Sequence, residues 1–243
     1  MKEKFTPHRA YRKVKIEKKE IFSLIIATLL IVLVIYFFLP KITIFWASFT
    51  IKYINLTEVN IVKTQHFHLY TLDIPGKFPS TKYSVSVLIV SIVMLLFLFL
   101  LRPHMIKYFF VYIDLILVAS SIYFIFFKQL FPYNLTKLLE MLTYIQASIL
   151  ILIPIIGFMS TVFFKTKFYK KLLFVVSILV YAIVFHTLRF ATFVYITKNF
   201  SYLFTPLLFF VFGPYFDAIY FVAFFSLFVA SSVKQIEKEA FQW

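Results

Sequence analysis

The chain of 243 residues contains no cysteine, only three glycines and only 14% charged residues. Without cysteine, the sequence has no disulfide, no thiolate metal site and no sulfur nucleophile. Gly76, Gly157 and Gly213 stand far apart, so there is no glycine-rich loop to cradle phosphate. A Gly-x-Ser-x-Gly elbow, a His-Glu-x-x-His helix and a paired-cysteine motif are all missing. Internal repeats, low-complexity linkers and a second domain are likewise not seen. No cofactor is implied and no metal site is expected.

The composition is 62% apolar and 22% aromatic. A water-soluble domain of this length cannot hide that much apolar surface, because much of any folded surface still faces solvent. The expectation is an all-α integral membrane protein. The formal charge of +15 reflects 25 Lys+Arg against 10 Asp+Glu. These cations flank the apolar runs, where they read as topology signals and contacts to anionic headgroups rather than as a nucleic-acid surface.

Runs of about 20 apolar residues predict six spans: Ile21–Leu39, Tyr83–Leu101, Tyr108–Phe127, Leu138–Phe164, Leu172–Thr197 and Pro214–Val233. Tyr202–Phe212 is too short to cross and reads as a re-entrant or interfacial helix broken at Gly213-Pro214. Residues 1–20 form a basic leader, expected not to be a cleaved signal peptide because no small-residue site follows it. Residues 21–136 are read as an N-terminal three-helix part with an extracytoplasmic loop at 40–82, residues 137–233 as a three-helix core, and residues 234–243 as a tail. Sixteen Lys/Arg fall on the face of the termini: eight in the leader, then Arg102, Lys107, Lys165, Lys167, Lys170, Lys171, Lys234 and Lys238. The opposite face has eight: Lys41, Lys52, Lys63, Lys77, Lys82, Lys128, Lys137 and Lys198. The positive-inside rule then predicts a multi-pass protein of the cytoplasmic membrane with both termini in the cytoplasm.

Within the 40–82 loop, Ile42–Ile54 is expected to be an amphipathic helix on the outer surface. Asn60–Leu72 alternates in places and leads into Asp73-Ile74-Pro75-Gly76, which suggests a β-hairpin. His66 and His68 share one strand face, but no third ligand lies nearby, and an exposed polar strand is the better reading. Asn134-Leu135-Thr136 is a formal glycosylation sequon that chance explains.

Arg189 is the residue that most demands an explanation. It lies inside the fifth span, where an arginine costs roughly 2.5–3.5 kcal/mol on insertion scales and normally has a partner. His186 is three residues earlier, on the same helix face. Lys198 is nine residues further on, so Arg189 is about 13 Å below the outer end of its helix. Glu140 opens the fourth span and Asp217 the sixth, both from the outer side, which makes them candidate partners. Asp114 lies in the inner half of the third span, too far to reach Arg189. Tyr144, Gln146, Ser148, Thr187, Tyr195 and Tyr215 could add hydrogen bonds to a polar pocket opening outward.

The order and spacing of these residues also carry a resemblance. Glu140-Met141-Leu142-Thr143-Tyr144-Ile145-Gln146-Ala147-Ser148 looks like the Glu-x-Cys-Ser/Thr-Gly-Ile-x-Ser segment of the exosortase/archaeosortase family. His186-Thr187-Leu188-Arg189-Phe190 resembles its Asn-x-x-Arg-Ile motif, and Phe216-Asp217 its His-Asp pair. The resemblance covers Lys137–Ser231. It implies a polytopic, cysteine-type membrane transpeptidase or protease that cleaves sorting signals of exported proteins and passes the product to a membrane anchor or glycan. Its chemistry is assigned to Cys, Arg and His. Arg189 matches the arginine, but Leu142 stands at the cysteine position and Phe216 at the histidine position, and neither can serve as nucleophile or base. Thr143 is the one substitute nucleophile the sequence offers.

The sequence therefore points to an exosortase-like protein without the family's nucleophile, in which Arg189, His186, Asp217, Glu140 and Gln146 bind an anionic group. Its expected partners are membrane lipid and an exported protein or a lipid-linked or glycan substrate. Two other classes remain open. One is a small-molecule-binding subunit of a vitamin transporter, and the other is a membrane assembly subunit whose charges serve helix packing.

Overall fold

The computed structural model describes residues 18–57, 59–164 and 166–240. Helices α1 (Lys18–Ile54), α2 (Thr81–Leu100), α3 (Met105–Phe126), α4 (Leu135–Thr161), α5 (Phe168–Asn199), α6 (Thr205–Phe210) and α7 (Pro214–Ala240) dominate, with two short strands, β1 (Asn60–Lys63) and β2 (Tyr70–Asp73), between α1 and α2. Six segments are long and apolar enough to cross a membrane. The protein is thus an all-α multi-pass membrane protein in contact with lipid. Its exposed surface along α1, α2 and α3 is largely Leu, Ile, Val and Phe, as a lipid-facing wall requires.

The first helix departs most from the sequence reading. The sequence reading places the span at Ile21–Leu39 and an amphipathic helix at Ile42–Ile54 on the outer surface. Instead a single helix, α1, continues through Pro40 for 37 residues and buries part of that second segment. Proline forgoes one backbone hydrogen bond, and tertiary contact outweighs that loss. Leu39, Thr43, Trp46, Ala47 and Thr50 are all buried, and their helical spacing turns one face onto α4 and α5. Thr43 ties this region together by donating to the Pro40 carbonyl at 3.0 Å and accepting from the Tyr70 amide at 3.1 Å.

The bundle core is α1, α4 and α5, with α7 packed on α5. α4 buries Leu135, Leu138, Leu139, Leu142, Gln146, Leu150, Ile153 and Gly157 along one stripe. α1 crosses from the N-terminal part to pack along both α4 and α5. At the end of the bundle away from the strands, the fully buried Lys171 ammonium pairs with Glu20, tying the start of α5 to the start of α1. α2 and α3 form an antiparallel pair, held to the rest through α6 and the 3-10 turn Tyr202–Phe204, where Ser120 donates to the Leu203 carbonyl at 2.6 Å.

β1 and β2 are antiparallel, with Asn60 opposite Asp73 and Lys63 opposite Tyr70. Phe67 and His68 take left-handed backbone angles, φ 62° and 52°, to make the turn. The hairpin tip docks on α4: the Gln65 amide donates to Glu140 Oε1 at 2.8 Å and the His66 amide to the Tyr144 hydroxyl at 2.9 Å. Asn134 has a structural duty as the N-cap of α4, accepting from the Lys137 amide at 2.9 Å. Thr136 donates to Asp73 at 2.6 Å, so the sequon is part of the joint between β2 and α4.

After β2 the chain runs between the ends of α3, α4 and α5. Lys77 donates its amide to the Thr197 carbonyl at 3.2 Å and accepts from the Tyr202 amide at 3.0 Å. Phe78, Phe131 and Tyr202 pack ring on ring, with centroids 4.8–6.1 Å apart. Gly76 makes this closure possible, because a Cβ there would collide with the Tyr202 ring and hydroxyl. Gly76→Ala should therefore destabilise the protein by about 1–3 kcal/mol, as overpacking of a tight contact does. Thermal unfolding in detergent micelles checks this. Gly157→Ala, whose Cβ would meet a movable Val175 methyl at 2.9 Å, should have the smaller effect.

Candidate functional site

Arg189, Asp217 and His186 form one buried cluster. The guanidinium grips the carboxylate with two parallel hydrogen bonds, Nη1 to Oδ2 at 2.9 Å and Nη2 to Oδ1 at 2.7 Å. His186 Nε2 lies 3.2 Å from the same Oδ1. The local geometry explains the encounter. His186 and Arg189 are three residues apart on α5 and so share a face. Asp217 is in the first turn of α7, which begins at Pro214, a residue preorganised for that position.

The surroundings are aromatic. Arg189 Cζ lies 4.9 Å from the centroid of Phe185, which stacks on Phe216, which in turn stacks on Phe212. A charge in such a place is tolerated only when its partner is close and well oriented, and the bidentate fork meets that condition. Phe216 thus contributes a ring to the wall behind the arginine.

From α4, Gln146 Nε2 donates to the His186 carbonyl at 3.1 Å. From α1, the Trp46 indole packs edge-on against the His186 ring, with centroids 5.8 Å apart. From α7, the Tyr220 hydroxyl comes next to Asp217 without completing a hydrogen bond. Among the described residues, Trp46 Nε1, Gln146 Oε1, His186 Nδ1, Arg189 Nε and the Tyr220 hydroxyl are buried polar atoms with no protein partner. Five such atoms around one ion pair are far above what a packed interior tolerates, since buried donors and acceptors are nearly always satisfied.

Of the residues singled out from the sequence, His186, Arg189, Asp217 and Gln146 come together. Glu140 does not join them. It is held at the hairpin by Gln65 and by the Tyr144 hydroxyl at 2.7 Å, so Asp217 alone answers the arginine. Asp114 stays apart, between α2 and α3. Thr187 donates to the Ile183 carbonyl, while Tyr195 meets Phe200 edge to face and Tyr215 stacks on Phe109. Ser148 and Tyr144 line a separate, mainly apolar groove of about 270 Å³ with Phe37, Pro40 and Phe67. Thr143 is fully buried and donates to the Leu139 carbonyl at 2.8 Å. That proton is committed to its own helix, with no side-chain base bound to it. Leu142 is also buried.

Trp46 and Tyr220 escaped the sequence reading. Tyr220 follows Asp217 by three residues and shares its face, which was a usable signal. Trp46 lies beyond Pro40, in the stretch the sequence assigned to the surface.

Arg189→Leu alone should destabilise the bundle by about 3–5 kcal/mol, because it strands a buried carboxylate. The double variant Arg189→Leu/Asp217→Leu should recover most of that loss. Reversible unfolding in mixed micelles measures both, and equal destabilisation of the two variants would contradict a tightly coupled pair. No family model, curated protein or solved structure matches the chain.

Proposed function

We propose that the protein is an exosortase-like polytopic membrane protein that recognises, without cleaving, an anionic group at the His186–Arg189–Asp217 cluster. The ligand class is a peptide carboxylate or a lipid- or glycan-linked phosphate of an exported substrate. The excess of Lys/Arg on the side of the termini supports a cytoplasmic position for both termini. The hairpin and the cluster then lie toward the extracytoplasmic side of the cytoplasmic membrane.

The observation that carries this reading is the convergence of α4, α5 and α7 residues from the three resembling segments. Gln146, His186, Arg189 and Asp217 meet in one polar cluster with unsatisfied donors. Recognition is favoured over catalysis because the nucleophile position is leucine and Thr143 is bound to its own backbone.

Charge bookkeeping gives the mechanism a sign. Arg189 and Asp217 cancel when His186 is neutral. Protonation of His186 leaves one net positive charge, with Asp217 shared between two cations. An anion is then attracted to Arg189, whose planar fork suits carboxylate and phosphate. Anion binding in this scheme takes up a proton, so affinity rises as pH falls through the titration of His186.

The complete burial of Arg189 and the saturation of its fork by Asp217 favour a second reading, an assembly subunit in which the pair staples α5 to α7. One experiment separates the two. The purified full chain is titrated with a hydrophobic peptide ending in a free carboxylate, its amidated twin, and a polyprenyl phosphate, and the thermal midpoint is followed. Recognition predicts stabilisation by at least one anionic probe, greater at lower pH, and none by the amide. His186→Phe should flatten the pH dependence. No shift with either anion, or an undiminished shift in Arg189→Leu/Asp217→Leu, would leave the staple as the better account.

A further inference from the structure

A second ionisable group lies within the membrane spans, away from the arginine cluster. Asp114 on α3 is 5% exposed. It lies nine residues into the helix, about 14 Å from its start and so near the middle of a bilayer core about 30 Å thick. The Ser91 hydroxyl on α2 faces its carboxylate, whereas Oδ2 has no hydrogen-bond partner among the described residues.

The serines around it follow a pattern. α2 buries Ser84 and Ser91, seven residues apart, and α3 buries Asp114 and Ser121 at the same interval. Because the helices are antiparallel and Ser91 meets Asp114, equal spacing brings Ser84 level with Ser121, about two turns or 10 Å along the pair. The hydroxyls of Ser84 and Ser121 are buried without partners as well. Asp114 also lines a cavity of about 430 Å³, together with Ser86, Ser91, Met94, Phe110 and Phe204. Met94 and Phe110 are exposed on the outer wall of the helix pair, so the cavity opens sideways toward lipid.

Among the described residues, no cation pairs with this acid. The groups facing it from α2 are Ser86 and Ser91, and the element before α6 presents Phe204. On its own helix the nearest base is Lys107, seven residues away, whose ammonium is bonded to the Phe99 and Leu101 carbonyls. An ionised carboxylate with one hydroxyl donor is poorly compensated at this depth. One carboxylate and one hydroxyl also supply too few oxygens to surround a metal ion, and the Ser84–Ser121 pair is too far away to complete a shell. A proton needs only one oxygen.

We infer that Asp114 is a reversible proton-binding site within the membrane, reached through the lateral cavity between α2 and α3. In the step assigned to it, hydronium gives its proton to the free Oδ2 and leaves as water. The Ser91 hydroxyl, which lines the same cavity, stays beside the group. The site is independent of anion recognition at Arg189.

Dicyclohexylcarbodiimide tests this directly, because the apolar reagent enters from lipid and reacts with a protonated carboxyl. The acid O–H adds across one C=N bond, with oxygen to carbon and the proton to nitrogen, and the adduct rearranges to a stable acylurea without a leaving group. The full chain in lipid vesicles is treated across acidic to alkaline pH and its peptides are analysed by mass spectrometry. The expected result is an adduct on Asp114 that declines as pH rises, with Asp217 unlabelled because Arg189 engages both its oxygens. Asp114→Asn should remove the adduct. Ser91→Ala should change the pH of half-labelling, since its hydroxyl borders the carboxyl in the cavity; a purely packing role for the pair would not move it. No adduct on Asp114 at any pH would overturn the inference. Protection by Na⁺ at constant pH would overturn it too, and would assign the site to that cation.

Discussion

The grip of Arg189 on Asp217 is the constraint around which this bundle is arranged. A guanidinium at that depth must be answered, and the answering carboxylate must come from another helix. The bidentate geometry fixes both the rotation of α5 and the start of α7. The short α6 and the turn at Gly213 then become necessities, because α7 has to begin deep enough for its first turn to present Asp217 to α5. His186, sharing the same oxygen, makes the pair a three-body system whose net charge depends on one proton. A plain ion pair would have no such dependence.

A second constraint is the long α1. By running through Pro40 it carries Trp46 into the core, where the indole borders His186. The helix is thus lipid-facing in its first half and a core element in its second. The hairpin that follows is clamped to α4 by Glu140 and Tyr144. That clamp explains why an acid which could have served Arg189 does not. The Gln65 amide and the Tyr144 hydroxyl hold it at the hairpin, while Arg189 is neutralised from α7.

The membrane's dielectric gives both polar centres their interest. In water, the Arg189 cluster and Asp114 would be unremarkable. In hydrocarbon each must be matched by charge, by hydrogen bonds or by a proton. The arginine cluster is matched by charge. Asp114 has one hydroxyl and a cavity, which leaves the proton as its natural counterpart. The two centres belong to different helix groups, α4–α5–α7 and α2–α3, and they obey the same rule by different means.

The sequence alone determined the class of the protein and the number of its spans, because a run of apolar residues long enough to cross a bilayer has few other uses. It also determined that Arg189 needs a partner and reduced the choice to two acids, through helical rise and charge placement. Only the tertiary structure could decide between them. Asp217 and Glu140 both enter from the same side by the sequence, and their fates rest on side-chain reach and on competition from the hairpin, which no periodicity encodes. Pro40 is the same case in reverse. Local propensity argued for a break, and the burial of Trp46, Ala47 and Thr50 against α4 and α5 outweighed one missing hydrogen bond. Spans and charges are local or additive properties and can be read along the chain. Partner choice and helix continuity are settled by contacts between residues distant in sequence, and they exist only once the bundle has closed.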